Sequence, residues 1–196
     1  HKEVAPFAAE WDRAETMSPE AIRKAGELGL FGVCMPSEWG GVGADLISYV
    51  LATEELAAGA AGFCNMVSAI NSYGFKVRDY GTDDQKERFL RPVASGKHIA
   101  CMLLTEPHAG SDAASIRTRA MRKGDTWVIN GTKVFISNGG IADVNVVVAT
   151  VDPSLGHRGQ ATFIVPKGTP GLSQGKKEDK IGIRASHTGE VVFEDC

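Results

Sequence analysis

Thr105, Glu106, Ser111 and Asp112 fall within one short stretch, LLTEPHAGSDAAS at 103–115, with Pro107 and Gly110 between them. A second patch, KVFISNGG at 133–140, sets an aromatic, Phe135, two residues from a hydroxyl, Ser137. Hydroxyls and main-chain N–H groups can hold the polar edge of a flat heterocycle or a phosphate oxygen, and an aromatic ring can cover its face. Pro107 lacks a ladder donor, so a strand that leaves the core near Leu104 and Thr105 cannot run on through it. Gly110 lets backbone approach a ligand closely. In KVFIS the two-residue period puts Val134 and Ile136 on one face and Phe135 and Ser137 on the other. On spacing alone the plainer reading leads: a polar loop with an Asx-type turn at Asp112, and a barrel edge with a solvated serine.

Other chemistries find little support. His98, His108, His157 and His187 have no metal-ligand spacing, and no Ser/His/Asp order stands out. The four cysteines form no C-x-x-C pair, which argues against a zinc or dithiol site and for free, buried thiols in a reducing compartment. GGVGAD at 40–45 lacks the lysine and spacing of a phosphate-binding Walker loop. The net charge of −3 gives no pull toward nucleic acid or an anionic membrane. No apolar run reaches the roughly 18 residues that span a bilayer. The first residue is His1 rather than Met, so a missing start is expected and targeting is unread.

The 196 residues, 43 % of them hydrophobic, suffice for two small domains with buried cores. Up to about residue 97 the chain reads as helical. Ser18 and Pro19 make a helix start and Gly29 a helix stop. Thr82 with Gln85 forms a capping box, followed by a stripe of Phe89, Leu90 and Val93. From Ile99 the texture is that of strands: IACMLLT, SIRTRAMR, TWVIN, TKVFIS, VNVVVAT and ATFIV. KGD at 123–125, NG at 130–131 and NGG at 138–140 read as the turns between them. The predicted fold class is α+β: an all-α domain over 1–97, then an antiparallel β-barrel or sandwich over 98–196.

Taken in order, these segments resemble the acyl-CoA dehydrogenase family over almost the whole chain. LLTEPHAGSDAAS is similar to that family's first signature, INGTKVFISNGG to its second flavin segment, and IGIRASHTGEVVFEDC to the close of its middle β domain. PSEWGGVGAD and TDDQKERFLRPVASGK resemble the loop and helix of its N-terminal helical domain. The resemblance implies FAD as cofactor, acyl-CoA as substrate, α,β-dehydrogenation as the reaction, and an electron-transfer flavoprotein as electron acceptor. It implies a homo-oligomer, dimer or tetramer, in the cytoplasm or the mitochondrial matrix, with neither nucleic acid nor membrane as a partner. It also implies a C-terminal four-helix bundle beyond Cys196 that carries the catalytic glutamate, so the base is expected outside this chain.

By the same resemblance Met102, Leu103, Leu104, Thr105, Gly110 and Ser111 line the FAD, with the Thr105 hydroxyl and amide on the flavin's pyrimidine edge. Phe135, Ile136 and Ser137 form the opposite wall, Ser137 near N5. Ser111 serves both the pyrophosphate and the pantetheine, and His157 and Arg158 meet the CoA phosphates. Two positions depart from the family pattern: His108 stands where a small residue is common, and Phe135 where Trp is usual. Glu106, next to a flavin-facing Thr105, is expected to point away and to cap or form an ion pair rather than act as base. Alternatives on the same fold are an acyl-CoA oxidase or a flavin monooxygenase. Outside that class stand a non-catalytic binding module and a fragment inactive by itself.

Overall fold

The computed structural model describes residues 2–196. The chain divides into two compact units, one of His1–Ala100 with Asp179–His187, the other of Cys101–Glu178 with Thr188–Cys196.

The first unit is helical: α1 (Ala8–Ala14), α2 (Pro19–Glu27), α3 (Leu46–Gly59) and α4 (Ala61–Tyr80). The Ser18 hydroxyl accepts from the Ala21 amide at 3.3 Å and Pro19 occupies the first turn, where its missing N–H costs nothing. At the other end Gly29, at φ 78°, and Leu30 donate back to Gly26 and Ala25, which closes α2 as a Schellman motif. α4 buries Phe63, Met66, Val67, Ile70, Tyr73 and Val77, a stripe at three- and four-residue steps. The capping box is present: Thr82 and Gln85 exchange both bonds. Thr82→Ala is expected to lower stability by about 1 kcal/mol, read as a fall in denaturation midpoint with unchanged slope.

The helix that follows is not uniform. It begins as α over Asp83–Gln85, widens to a π turn over Lys86–Leu90 and returns to α over Arg91–Ala94. Pro92 has no N–H to offer Arg88, and the Arg91 amide reaches back to Lys86 instead. Asp179–His187 belongs with this unit through named bonds. The Arg184 amide donates to Asp12 at 2.7 Å, its guanidinium pairs with Glu15, and Asn65 donates to Ser186 at 2.9 Å.

The second unit is one curled seven-stranded sheet: β1 (Ala100–Leu103), β2 (Arg119–Lys123), β3 (Thr126–Ser137), β4 (Val144–Thr150), β5 (Gln160–Pro166), β6 (Leu172–Lys177) and β7 (Thr188–Phe193). The order is β1-β4-β2-β3-β7-β6, with β5 also paired to β4. The pairing is antiparallel, as predicted, for β2 with β3, β3 with β7, β4 with β5 and β6 with β7, while β2 meets β4 in parallel at Arg119 and Thr150. Leu103, Ile129, Ile136, Val147, Val191 and Phe193 fill the core.

One predicted turn is not a turn. TWVIN and TKVFIS form the single strand β3, and Asn130-Gly131 lies inside it. The hairpin is made one signal earlier, at Gly124-Asp125 between β2 and β3. Gly131 serves a close approach: at φ 148° a Cβ there would meet Thr118 Oγ1 at 2.5 Å. The Asn130 side chain is spent on Asp195, accepting from its amide at 2.9 Å and donating to its carboxylate at 3.1 Å.

Candidate functional site

β1 stops at Leu103, and the chain turns at once: Glu106 and Ala109 exchange main-chain bonds of 3.0 and 3.1 Å around Pro107-His108. This turn packs beside β3 because β3 is bulged. Its register against β7 slips between Lys133 and Ile136, and Phe135 sits there at φ 58°. A phenylalanine in that left-handed region is strained by about 1–3 kcal/mol and persists only where its surroundings fix it. The bulge frees the Val134 amide from β7, and it donates instead to the Thr105 carbonyl at 2.9 Å. The two polar stretches singled out in the sequence therefore meet main chain to main chain.

A second tie lies beneath the first. Lys133 and Glu106 are both buried, and Lys133 Nζ donates to Glu106 Oε1 at 2.7 Å and to the Leu104 carbonyl at 2.9 Å. Glu106 also accepts from the amides of Arg117 at 2.6 Å and Thr118 at 2.9 Å. Burial alone would raise the Glu106 pKa, but Lys133 and the two amides outweigh it and hold the carboxyl below its ordinary value. Burial pulls Lys133 below the usual lysine value, with Glu106 opposing. Glu106 is thus the ion-pair partner expected, engaged by Lys133 and by two main-chain amides. Lys133 was not singled out in the sequence, since a lysine in an alternating strand reads as solvent-facing.

Among the described residues the Thr105 N–H and hydroxyl meet no hydrogen-bond partner, although Thr105 is half-buried. The Phe135 side chain is 64 % exposed, and Ser137 beyond it is half-buried. Leu103 and Ile136 belong to the core, so only their main chain is available to a ligand; Met102 and Leu104 are half-buried. Gly110 and Ser111 are exposed, and a Cβ at Gly110 would meet nothing within 4 Å. The loop that follows turns on Asp112, which accepts from the Ser115 hydroxyl and holds a short 3-10 turn. Gln160 Nε2 latches that turn by bonds to the Ala113 and Ala114 carbonyls at 2.8 and 3.3 Å. This brings the loop after Ser111 against the turn Pro153–Gly159, which carries the exposed His157 and Arg158.

A flavin asks for a flat apolar wall, donors at its pyrimidine edge and donors for its phosphates. The exposed Phe135 ring, the unengaged Thr105 N–H and hydroxyl, and the open Gly110-Ser111 corner fit those demands.

Comparison with known proteins points the same way. Residues 1–97 match the family model "Acyl-CoA dehydrogenase, N-terminal domain" and residues 101–196 match "Acyl-CoA dehydrogenase, middle domain". The chain is 44 % identical over 194 residues to the short-chain specific acyl-CoA dehydrogenase of Clostridium acetobutylicum, covering 98 % of this chain and 51 % of that protein. Among solved structures, a chain reported with the electron transferring flavoprotein of Acidaminococcus fermentans superposes with a TM-score of 0.95 at 44 % identity, covering 100 % of this chain and 52 % of that one. A glutaryl-CoA dehydrogenase from Mycobacterium smegmatis in complex with FADH2 gives 0.90 at 38 % identity, covering 97 % and 48 %. The chain spans about half the length of the relatives it matches. Over that span both of its halves carry the family's pattern, and the chain belongs to the acyl-CoA dehydrogenase family.

Proposed function

We propose that the protein containing this chain carries out FAD-dependent α,β-dehydrogenation of acyl-CoA thioesters and passes the electrons to an electron-transfer flavoprotein. The observation that carries the reading is the pairing of an unengaged Thr105 N–H and hydroxyl with the exposed Phe135 ring, held together by the Val134–Thr105 bond. The short-chain specificity in the name of the C. acetobutylicum relative favours short acyl groups. The similarity to a chain reported with an electron transferring flavoprotein favours that acceptor.

Bound FAD would supply the redox chemistry, acting as hydride acceptor. The chain's own residues hold and tune it. Thr105 donates to the pyrimidine edge, where negative charge builds on reduction, and a preset donor costs no reorganisation at that moment. Phe135 covers one face and keeps water from it. Ser137 lies on the same wall, nearer the reacting edge. Gly110 would leave room for the diphosphate, Ser111 would donate to it, and His157 and Arg158 would face the CoA phosphates from the turn Pro153–Gly159. The family resemblance implies that the α-proton goes to a carboxylate outside this chain, and Glu106, committed to Lys133 and two amides, is not the base.

Thr105→Val and Ser137→Ala in the full-length protein are each expected to weaken FAD binding or slow flavin reduction by about tenfold, the worth of one hydrogen bond to a charged acceptor. Fluorescence titration and single-turnover reduction measure this. Unchanged FAD content together with normal half-reaction rates would defeat the reading. Air reoxidation by stopped flow separates the alternatives: slow reaction marks a dehydrogenase, fast reaction an oxidase.

A further inference from the structure

We infer that the buried Lys133–Glu106 pair sets the donor strength of Thr105, and through it the reduction potential of the bound flavin. The inference rests on the reading that FAD lies against Thr105. Its basis is one peptide group. The Leu104 carbonyl accepts from the Lys133 ammonium at 2.9 Å, and the N–H of that same peptide is the Thr105 donor. Lys133 is fully buried, so its charge acts on the peptide through protein rather than water. A donor whose own carbonyl is already engaged becomes stronger, because hydrogen bonds in a chain polarise one another. Glu106 pairs with the same ammonium at 2.7 Å, and it is the ammonium, not the carboxylate, that contacts the Leu104 carbonyl. The carboxylate is anchored in turn by the Arg117 and Thr118 amides. His108 Nε2, 3.5 Å from Glu106 Oε2, is the other titratable group beside it.

The pair acts through Thr105 and touches neither substrate nor flavin, so both are positioning residues. A stronger donor favours the reduced, more negative flavin over the oxidised one. The pair therefore raises the potential of the bound flavin.

The test uses the full-length, FAD-loaded protein in three forms. In Lys133→Met/Glu106→Gln both charges go, and a neutral side chain of similar length stands at each site. In Glu106→Gln alone the ammonium stays without its counter-charge. Thr105→Val removes the hydroxyl contact and leaves the Thr105 N–H in place. Midpoint potentials are measured by dye-linked reduction, alongside thermal stability. The double variant is expected to lose about tenfold in preference for reduced over oxidised flavin, a fall of about 30 mV for the two-electron couple. Glu106→Gln is expected to shift the potential the other way. A merely structural pair would alter stability and leave the potential where it was. If Thr105→Val moves the potential and neither charge variant does, this inference falls while the flavin reading stands. If none of the three variants alters either the potential or FAD affinity, the flavin reading falls and takes the inference with it.

Discussion

Glu106→Ala is expected to remove about 3–5 kcal/mol of folding stability, the cost of leaving one member of a buried ion pair alone. Lys133 would keep a single acceptor, the Leu104 carbonyl, at a position with no access to water. The Arg117 and Thr118 amides would lose theirs as well. A matched replacement of both charges, Lys133→Met/Glu106→Gln, is expected to recover much of the loss, because a buried pair exchanged for neutral groups of similar size is often close to neutral. The loss also has a pH signature. The Glu106 carboxyl titrates below its ordinary value in the fold, so its contribution is fully present above the ordinary carboxylate value and disappears as pH falls through the depressed one. The gap between wild type and Glu106→Ala should therefore close on the acid side. Chemical denaturation from about pH 7 to about pH 3 reads it. A gap that stays constant over that range contradicts the assignment of Glu106 as the ionised hub. His108 Nε2 lies 3.5 Å from Glu106 Oε2, so the series is repeated in His108→Gln.

Phe135→Gly is expected to act with opposite signs on the protein and on its cofactor. The residue sits at φ 58°, a conformation glycine adopts freely and phenylalanine does not. Relief of that strain is expected to stabilise the cofactor-free protein, or at least not weaken it, since the 64 % exposed ring gives up little packing. Flavin affinity is expected to fall by about thirtyfold, or about 2 kcal/mol, the value of burying a ring of this size against an apolar face. Comparing unfolding of the cofactor-free form with a FAD titration separates the two signs. Loss of stability without loss of affinity would mean that Phe135 serves the fold and not a ligand.

How far the sequence foretells the molecule depends on the range of the forces involved. Ser18 with Pro19, Gly29 and the Thr82–Gln85 box act within one turn of chain, and each does in the structure what its type implies. The strand segments between Ile99 and Val165 are equally plain, because β-branched runs have few other uses, whereas β6 (Leu172–Lys177) and β7 (Thr188–Phe193) are not among them. Asn130-Gly131 misleads for a reason that lies far away in the chain: the glycine is required by Thr118 and the asparagine by Asp195. The π turn at Lys86–Leu90 follows from Pro92, yet a proline there is equally compatible with a plain kink.

The candidate site divides in the same way. Thr105, Ser111, Phe135 and Ser137 stand out as residue types at strand ends. The bulge that turns Phe135 outward and gives the Val134 amide to Thr105 is a product of strand register, which no single stretch encodes. Lys133 was missed because period-two patterning assigns a lysine to water. The one hint of its partner was Glu106 itself, a carboxylate next to a proline at a strand end with no clear surface role.

The most direct test of the account is a crystal structure of the full-length protein with FAD bound. The account predicts the isoalloxazine ring against the Phe135 side chain, with its pyrimidine edge about 3 Å from the Thr105 nitrogen. A ring bound elsewhere, or a Thr105 turned away from it and satisfied by other protein atoms, would contradict it.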